Sequence, residues 1–244
     1  MKTLKLSVLD DMYWQLPKYC VTAKKDIGVW EYTRGEFLGE DGYRYDDFKS
    51  TIKTGDRWLA AYDSAHFFKA SVTVPYEMDG KPLRARLKVG GEALVKCNGK
   101  YVAGCTSRRT IPDRADVELG IHKGGEVLTF EVEATVDSME FCDDAMEGAK
   151  YQECDFGETS IFTVDPECEG YFFDLEVAFD ALDYIKDEHI KSKVYAAIDD
   201  SLHVVDYDFE PDAVRESMHR ARQLYLKRIS EIEWSAQSRV MLTG

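Results

Sequence analysis

Six aromatic residues between positions 30 and 62 are the groups in this sequence best suited to ligand recognition. They lie in a stretch rich in Gly and Asp, and they are Trp30, Tyr32, Tyr43, Tyr45, Trp58 and Tyr62. Aromatic rings at a surface can stack on sugar rings, so we take Trp30, Tyr43 and Tyr45 as candidate carbohydrate-binding residues. The alternative is that these rings fill one end of a hydrophobic core, where large aromatic side chains commonly lie.

Paired carboxylates are the second group that could do chemistry, because a glycosidase needs two of them facing each other across a sugar. Adjacent acids occur at Asp46-Asp47, Asp143-Asp144 and Asp199-Asp200, but a chain with 46 acidic residues is expected to carry such pairs on its solvated surface. His203 and Asp206 are close in sequence, yet nothing distinguishes them from an ordinary helix end. The sequence therefore predicts no catalytic residue.

Cysteines and histidines are the remaining candidates, as metal ligands. None of the six cysteines has the Cys-x-x-Cys spacing of a zinc or redox motif, and none of the five histidines forms a His pair one helical turn apart. Cys154 and Cys168, with Cys142 nearby, occupy an acidic stretch, which makes a metal cluster the alternative to consider. Because no histidine neighbours them in sequence, we predict reduced thiols, no metal site and no cofactor in this chain.

The overall composition predicts a folded globular protein. With 244 residues and 44% hydrophobic content, the chain can bury a substantial core. A formal net charge of -15 argues against a nucleic-acid partner, because phosphate contacts need clustered Lys and Arg. The sequence has neither an apolar run long enough for a membrane span nor the pattern of a secretory signal, so we expect no membrane partner and a cytoplasmic location.

Residues 26–170 carry the two-residue periodicity of antiparallel strands. Phe68, Ala70, Val72 and Val74 alternate with polar residues, and similar alternation recurs over 83–89, 117–121 and 128–136, of which the last predicts a central strand. Asn98-Gly99 predicts a two-residue hairpin turn between two of the strands. Short strands and turns are expected over 27–54, and 137–170 is expected to be a long acidic excursion with a strand at 160–164. Residues 1–25 are predicted to form an N-terminal arm packed on this body.

Beyond Gly170 the hydrophobic period changes from two to about 3.6, which predicts helices over 171–244. Two helices are expected between Val177 and Leu202, and Pro211 marks the first turn of a longer one. Its apolar stripe, from Val214 to Ile232, is predicted to pack within the chain, with a coiled coil as the alternative. Residues 239–244 resemble the start of a buried strand. The fold class is thus mainly β, an antiparallel sandwich followed by α-helices.

The order of these motifs resembles the N-terminal domain of glycoside hydrolase family 38 α-mannosidases. The similarity is carried by Trp58, Phe67-Phe68, Val72-Thr73-Val74-Pro75, Gly91-Glu92-Ala93-Leu94-Val95 and Asn98-Gly99. In that family a jelly-roll, galactose-binding-like sandwich precedes the catalytic barrel. The helix from Pro211 to Trp234 resembles the family's connector, and Val240-Met241-Leu242-Thr243-Gly244 is similar to the first catalytic strand, which leads into a Gly-His-x-His-x-Asp stretch of zinc ligands.

The resemblance implies a non-catalytic N-terminal region whose parent enzyme hydrolyses terminal α-mannosides with retention. It implies that the zinc ligands, nucleophile and acid/base follow Gly244, so none can be assigned here, and that the main partner is the chain's own catalytic domain. Where the family commonly has an Asp and then a His, this sequence has Cys105-Thr106-Ser107-Arg108-Arg109, so no role transfers to that loop. In this interpretation the helical stripe could also make homo-oligomer contacts. The first alternative is a free-standing sugar-binding module, and the second is a protein scaffold that uses the acidic surface and the helical stripe.

Overall fold

The computed structural model describes residues 2–61, 64–107, 115–136 and 151–234. These form two compact units. Residues 23–163 make up a β-unit, whereas the residues up to Thr22 join those from Val164 onward in a helical unit. The predicted division differs from this one: it treated residues 1–25 as a separate arm and set the boundary near Gly170. The segments 137–150 and 235–244, including the expected strand at 239–244, lie outside the described residues.

The described part of the chain contains twelve strands. They are β1 (Val21–Asp26), β2 (Trp30–Phe37), β3 (Tyr43–Ile52), β4 (Arg57–Ala61), β5 (Ser64–Thr73), β6 (Pro82–Leu87), β7 (Gly91–Cys97), β8 (Lys100–Ser107), β9 (Asp116–Ile121), β10 (Val127–Thr135), β11 (Tyr151–Asp155) and β12 (Thr159–Val164). One sheet has the order β3-β2-β5-β10-β7-β8, a second has β1-β12-β6-β9, and β11 pairs with β4. All neighbours in the six-stranded sheet are antiparallel.

The core of the β-unit lies between the two larger sheets. Side chains at alternate positions point inward, so Phe68 and Phe130 of the six-stranded sheet share one buried cluster with Leu83, Leu87 and Ile161 of the four-stranded sheet. Each of these five side chains is almost completely buried. Two antiparallel sheets packed face to face, with helices in the C-terminal part of the chain, confirm the predicted fold class.

Most predicted strands are confirmed, and the differences have local causes. Asn98 and Gly99 have φ angles of 49° and 76°, the left-handed pair that a two-residue hairpin between β7 and β8 requires. β10 lies between β5 and β7, as expected of a central strand. The prediction of short strands over 27–54 was wrong, because β2 and β3 are long and a bulge between Thr33 and Gly35 accommodates a glycine that resembled a turn.

In the helical unit, the residues that the structure describes form five α-helices: α1 (Lys2–Tyr13), α2 (Pro17–Cys20), α3 (Pro166–Leu182), α4 (Glu188–Leu202) and α5 (Pro211–Ser230). The stripe on α5 is buried at Val214, Met218 and Ala221 in a cluster that includes residues of α3 and α4, which confirms packing within the chain. Leu9 and Leu16 belong to the same cluster, so the N-terminal residues complete the helical core. Among the described residues, no helix combines the length and apolar character that a bilayer crossing requires.

Candidate functional site

The three predicted sugar-binding aromatics do not lie together. Tyr45 is 62% exposed on β3, and Tyr43 is partly exposed on the same strand. Trp30, in contrast, is 0% exposed in the core, where its indole Nε1 donates to Thr159 Oγ1 at 3.0 Å and its ring contacts Phe130 and Phe156. The assignment of Trp30 as a sugar-binding residue is corrected accordingly, because its ring has no face available to a ligand.

Tyr43 and Tyr45 belong to a groove on the outer face of the six-stranded sheet. Its volume is about 390 Å³, and all six strands of the sheet contribute to it. The residues that line it are Glu31, Thr33, Tyr43, Tyr45, Phe67, Phe68, Lys69, Leu94, Lys96, Tyr101, Glu131, Val132 and Glu133. The groove therefore combines aromatic rings with charged side chains of both signs.

Strand register arranges the polar residues of the groove in two rows across the sheet. In one row, Glu31 lies opposite Lys69, Lys69 opposite Glu131, Glu131 opposite Lys96, and Lys96 opposite Tyr101. The positions two residues away along β2, β5 and β10 form the second row, of Thr33, Phe67 and Glu133. Side chains two residues apart on a strand share a face, so both rows point outward.

Neighbouring groups fix the charged residues of the first row. Lys69 Nζ donates to Glu131 Oε1 at 2.9 Å, and this hydrogen bond holds the pKa of Glu131 below its usual range and raises that of Lys69. The ammonium of Lys96 lies 4.5 Å from the centroid of the Tyr101 ring, a cation–π distance. Both lysines that line the groove are thus already engaged by groups of the protein.

The aromatic side of the groove is built from rings that support one another. Phe67 lies between the two tyrosines, with its centroid 5.2 Å from that of Tyr43 and 5.1 Å from that of Tyr45. The Tyr43 hydroxyl donates to Glu133, and partial burial together with this carboxylate raises the pKa of Tyr43 to about 12. Tyr43 is therefore a fixed hydrogen-bonded ring, whereas Tyr45 keeps a free face.

A further exposed tyrosine lies at the opposite edge of the sheet. Tyr101 on β8 is 63% exposed, and β8 is separated from β3 by the other four strands. At roughly 4.8 Å per strand spacing, five spacings give about 24 Å along the sheet between the strands that carry Tyr45 and Tyr101. The groove thus offers two accessible rings, one at each end, with the polar rows between them.

The sequence pattern did not identify most of this groove. Alternation on β5, β7 and β10 correctly assigns Lys69, Lys96 and Glu131 to the face opposite the core. It does not distinguish residues of a groove from ordinary solvated surface charges, which also face outward. The strand order that places Tyr101 on the same surface as Tyr45 follows from pairing between distant segments. Of the other aromatics considered at the outset, Trp58 is buried, with Nε1 donating to Val89 O at 2.7 Å, and Tyr62 lies outside the described residues.

Ser64, His66 and Tyr32 form a hydrogen-bonded chain in the β-unit that resembles a nucleophile with its base; His66 and Tyr32 are buried and Ser64 is partly buried. His66 Nε2 is 2.8 Å from Ser64 Oγ, and His66 Nδ1 is 2.8 Å from the Tyr32 hydroxyl. Ser64 Oγ also lies 2.7 Å from the carbonyl oxygen of Ala61, which can only accept, so the serine hydrogen points there. The imidazole consequently donates from Nε2 to Ser64 and accepts at Nδ1 from Tyr32. Because Nε2 carries a hydrogen, it cannot accept the serine proton, and the three residues have a structural role.

The groove is not arranged as a metal site. Lys69 lies between the positions of Glu31 and Glu131 in the sheet, which separates the carboxylates. Over the described ranges of the chain, the groove holds no group of three His, Cys, Asp or Glu side chains close enough to share an ion. The five described cysteines, Cys20, Cys97, Cys105, Cys154 and Cys168, are free thiols, as predicted.

Comparison with known proteins gives a distant structural likeness. No family model and no curated protein matches the chain. Among solved structures, it is similar to a β-glucuronidase of Ruminococcus gnavus, with 8% identity and a TM-score of 0.41 over 59% of this chain and 29% of that one. A β-glucuronidase of Faecalibacterium prausnitzii has 12% identity and a TM-score of 0.39, with coverage of 59% and 32%. The chain thus covers less than a third of either structure.

Likeness at this level assigns neither a family nor an activity. The class that the structure itself defines is an antiparallel two-sheet β-sandwich accompanied by a helical unit. Within the described part of the β-unit, the outer groove brings aromatic rings and charged side chains together on one surface.

Proposed function

We propose that the β-unit binds a saccharide in the groove on the outer face of its six-stranded sheet. The observation that carries this proposal is that Tyr43, Tyr45 and Tyr101 share one groove with Lys69, Glu131 and Glu133. Aromatic faces pack against the C–H faces of sugar rings, and charged side chains form strong hydrogen bonds with hydroxyl groups. This corresponds to the free-standing sugar-binding module that the sequence offered as an alternative.

Binding without hydrolysis is the role that fits the carboxylates. A general acid at neutral pH needs a raised pKa, such as burial gives to a glycosidase carboxyl group. Lys69 has the opposite effect on Glu131, whose pKa lies below its usual range. Glu133 is already engaged as the acceptor of the Tyr43 hydroxyl. Neither group is prepared to protonate a leaving oxygen.

The test is titration calorimetry of the purified 244-residue chain against neutral oligosaccharides, with ligands first chosen on a glycan array. Tyr45→Ala and Tyr101→Ala should each weaken binding about five- to tenfold, because each removes one stacking platform. Tyr184→Ala is the matched control, since Tyr184 is also exposed, at 67%, but belongs to the helical unit. Equal affinities for all four proteins, or no binding to any glycan, would refute the proposal.

The α-mannosidase resemblance supports a more specific proposal, in which this chain is the non-catalytic N-terminal part of such an enzyme. It is supported by the quoted motifs at Trp58, Phe67-Phe68 and Asn98-Gly99, and by the order of a sandwich before helices. The parent would then hydrolyse terminal α-mannosides with a divalent metal and a carboxylate nucleophile.

Two measurements test this second proposal. The reading frame downstream of Gly244 should continue into a His-x-His-x-Asp stretch, and a stop codon there would contradict the proposal. The 244-residue chain by itself should show no mannosidase turnover, because the resemblance implies that the zinc ligands, the nucleophile and the acid/base follow Gly244. Turnover by this chain would contradict the assignment as non-catalytic, without bearing on whether the groove binds sugar.

A further inference from the structure

A cluster of three chemically different ligand groups lies in the helical unit, apart from the groove. Asp165 directly precedes α3, Cys168 lies in the first turn of α3, and His219 lies on α5. One ligand atom from each of these residues lies within 4.8 Å of the other two. His219 Nε2 is 3.0 Å from both oxygens of the Asp165 carboxylate.

The start of α3 fixes two members of the cluster. Asp165 is the N-cap, and its Oδ1 accepts from the backbone N–H groups of Glu167 at 2.9 Å and Cys168 at 3.0 Å. This capping holds the carboxylate in place and sets the Cys168 side chain beside it. Packing of α5 on α3 positions His219, because Met218 and Ala221 of α5 are buried in the same hydrophobic core as Tyr171 of α3.

Solvent exposure within the cluster increases from Cys168 to Asp165 to His219. Cys168 is completely buried, the Asp165 side chain is 18% exposed, and the His219 side chain is 38% exposed. An ion would therefore reach the cluster from the histidine side, and the thiol forms its inner wall. The Cys168 Sγ makes a long contact, 3.7 Å, to the carbonyl oxygen of Arg215 and also interacts with the Asp165 carboxylate.

The positive charge of Arg215, which acts on Cys168, is neutralised by other groups. The Arg215 guanidinium is held by the Asp212 carboxylate and by the carbonyl oxygens of Tyr19 at 3.3 Å and Val21 at 3.5 Å. The positive end of the α3 dipole disfavours a cation, but this effect is small beside the attraction of a carboxylate and a thiolate ligand.

We propose that Asp165, Cys168 and His219 bind a zinc-class divalent ion, with water completing a four-coordinate shell. A set of one oxygen, one sulfur and one imidazole nitrogen suits borderline ions such as Zn²⁺ and Co²⁺ and does not suit Mg²⁺ or Ca²⁺, which prefer oxygen ligands alone. The hydrogen that His219 Nε2 now donates to Asp165 points where the ion would sit, because a carboxylate only accepts. The site is independent of the sugar-binding proposal.

The experiment uses the full 244-residue chain, stripped with a chelator and kept reduced, and titrated with Co²⁺ and then Zn²⁺. One equivalent of Co²⁺ should produce a thiolate-to-cobalt charge-transfer band and the intense visible absorption of a four-coordinate ion, and Zn²⁺ should abolish both. Cys168→Ser should remove the charge-transfer band. His219→Gln, which keeps a donor toward Asp165, should weaken Zn²⁺ binding about tenfold or more.

Two matched variants separate this cluster from other thiols and histidines. Cys20→Ser removes another buried thiol of the helical unit and should leave the cobalt spectrum unchanged. His203→Gln removes a second His-Asp pair, in which His203 Nδ1 lies 3.2 Å from Asp199 Oδ1, and should leave Zn²⁺ affinity unchanged. Circular dichroism checks that each variant is folded, and Asp165→Asn, which changes a ligand but still caps α3, replaces Cys168→Ser or His219→Gln if either does not fold.

The proposal is overturned by any of three results. The first is a cobalt spectrum without a charge-transfer band in the reduced parent chain. The second is a band that survives Cys168→Ser or disappears in Cys20→Ser. The third is a loss of Zn²⁺ affinity in His203→Gln as large as that in His219→Gln, which would show that surface His-Asp pairs bind the ion.

Discussion

The buried imidazole of His66 makes the stability of the β-unit depend on pH in a way that can be worked out from its surroundings. The side chain is 1% exposed, lies 4.2 Å from the centroid of the Trp58 ring, and hydrogen-bonds at both nitrogens. Burial, with a smaller contribution from the positive charge of Arg34, lowers the pKa of His66 to about 4, although the carboxylate of Asp46 acts in the opposite direction. The neutral form is thus the one that the fold accommodates.

The sign of the effect follows from which state binds more protons. In the unfolded chain His66 has its usual pKa of 6.5, so between pH 6.5 and about 4 the unfolded state binds a proton that the folded state does not. The folded protein therefore loses stability as the pH falls. The free energy of unfolding falls by about 3 kcal/mol in total, and this loss is complete below pH 4. About 2 kcal/mol of the loss occurs between pH 7 and pH 5.

The assay compares urea unfolding of the parent chain and of His66→Gln at pH 7 and at pH 5. Both proteins contain the same titrating carboxylates, so the difference between their pH dependences isolates His66. The parent should lose about 2 kcal/mol more than His66→Gln over this interval. His203→Gln, which changes an exposed histidine of the helical unit, should behave like the parent.

NMR of the imidazole provides an independent check on the same reasoning. The nitrogen shifts should identify a neutral ring protonated at Nε2, as the Ser64 and Tyr32 hydrogen bonds require. The ring should not titrate between pH 7 and pH 5. Titration near pH 6.5, a proton on Nδ1 at neutral pH, or equal pH dependence in the parent and His66→Gln would refute the argument.

Three other substitutions test the fold directly in thermal or urea unfolding. Trp30→Ala should destabilise the β-unit by about 3–5 kcal/mol, because the ring is a buried core residue, and a fully stable variant would contradict its placement. Gly91→Ala should lower the free energy of unfolding by at least about 2 kcal/mol more than Gly55→Ala does. Both glycines have positive φ, but only at Gly91 would a Cβ clash with the carbonyl oxygen of Thr135. Asp187→Ala should cost about 1 kcal/mol through loss of the α4 cap, whereas Asp187→Asn should cost little.

The sequence predicted the fold class because its local signals agree with its tertiary structure. Alternation over 128–136 predicted β10, Asn98-Gly99 predicted the hairpin, and the stripe from Val214 predicted the buried face of α5. What it did not predict depends on pairing between distant segments. Leu9 and Leu16 showed no sustained period, yet they complete a core built by residues beyond position 164. β11 was not predicted, and it forms a separate pair with β4.

The groove and the Asp165–Cys168–His219 cluster could not be predicted from the sequence, for the same physical reason. Cys168 and His219 are about fifty residues apart and come together only because α5 packs on α3, so the absence of a nearby histidine did not exclude a ligand set. Tyr45 and Tyr101 reach one surface only through the strand order. Trp30 illustrates the limit of reasoning from residue type. It lies in the same aromatic stretch as Tyr45 but on the opposite face of the sheet. On β2, Trp30 and Tyr32 point into the core, and the alternate residues Glu31 and Thr33 line the groove. Whether a position is odd or even along the strand therefore decides which side chains are buried.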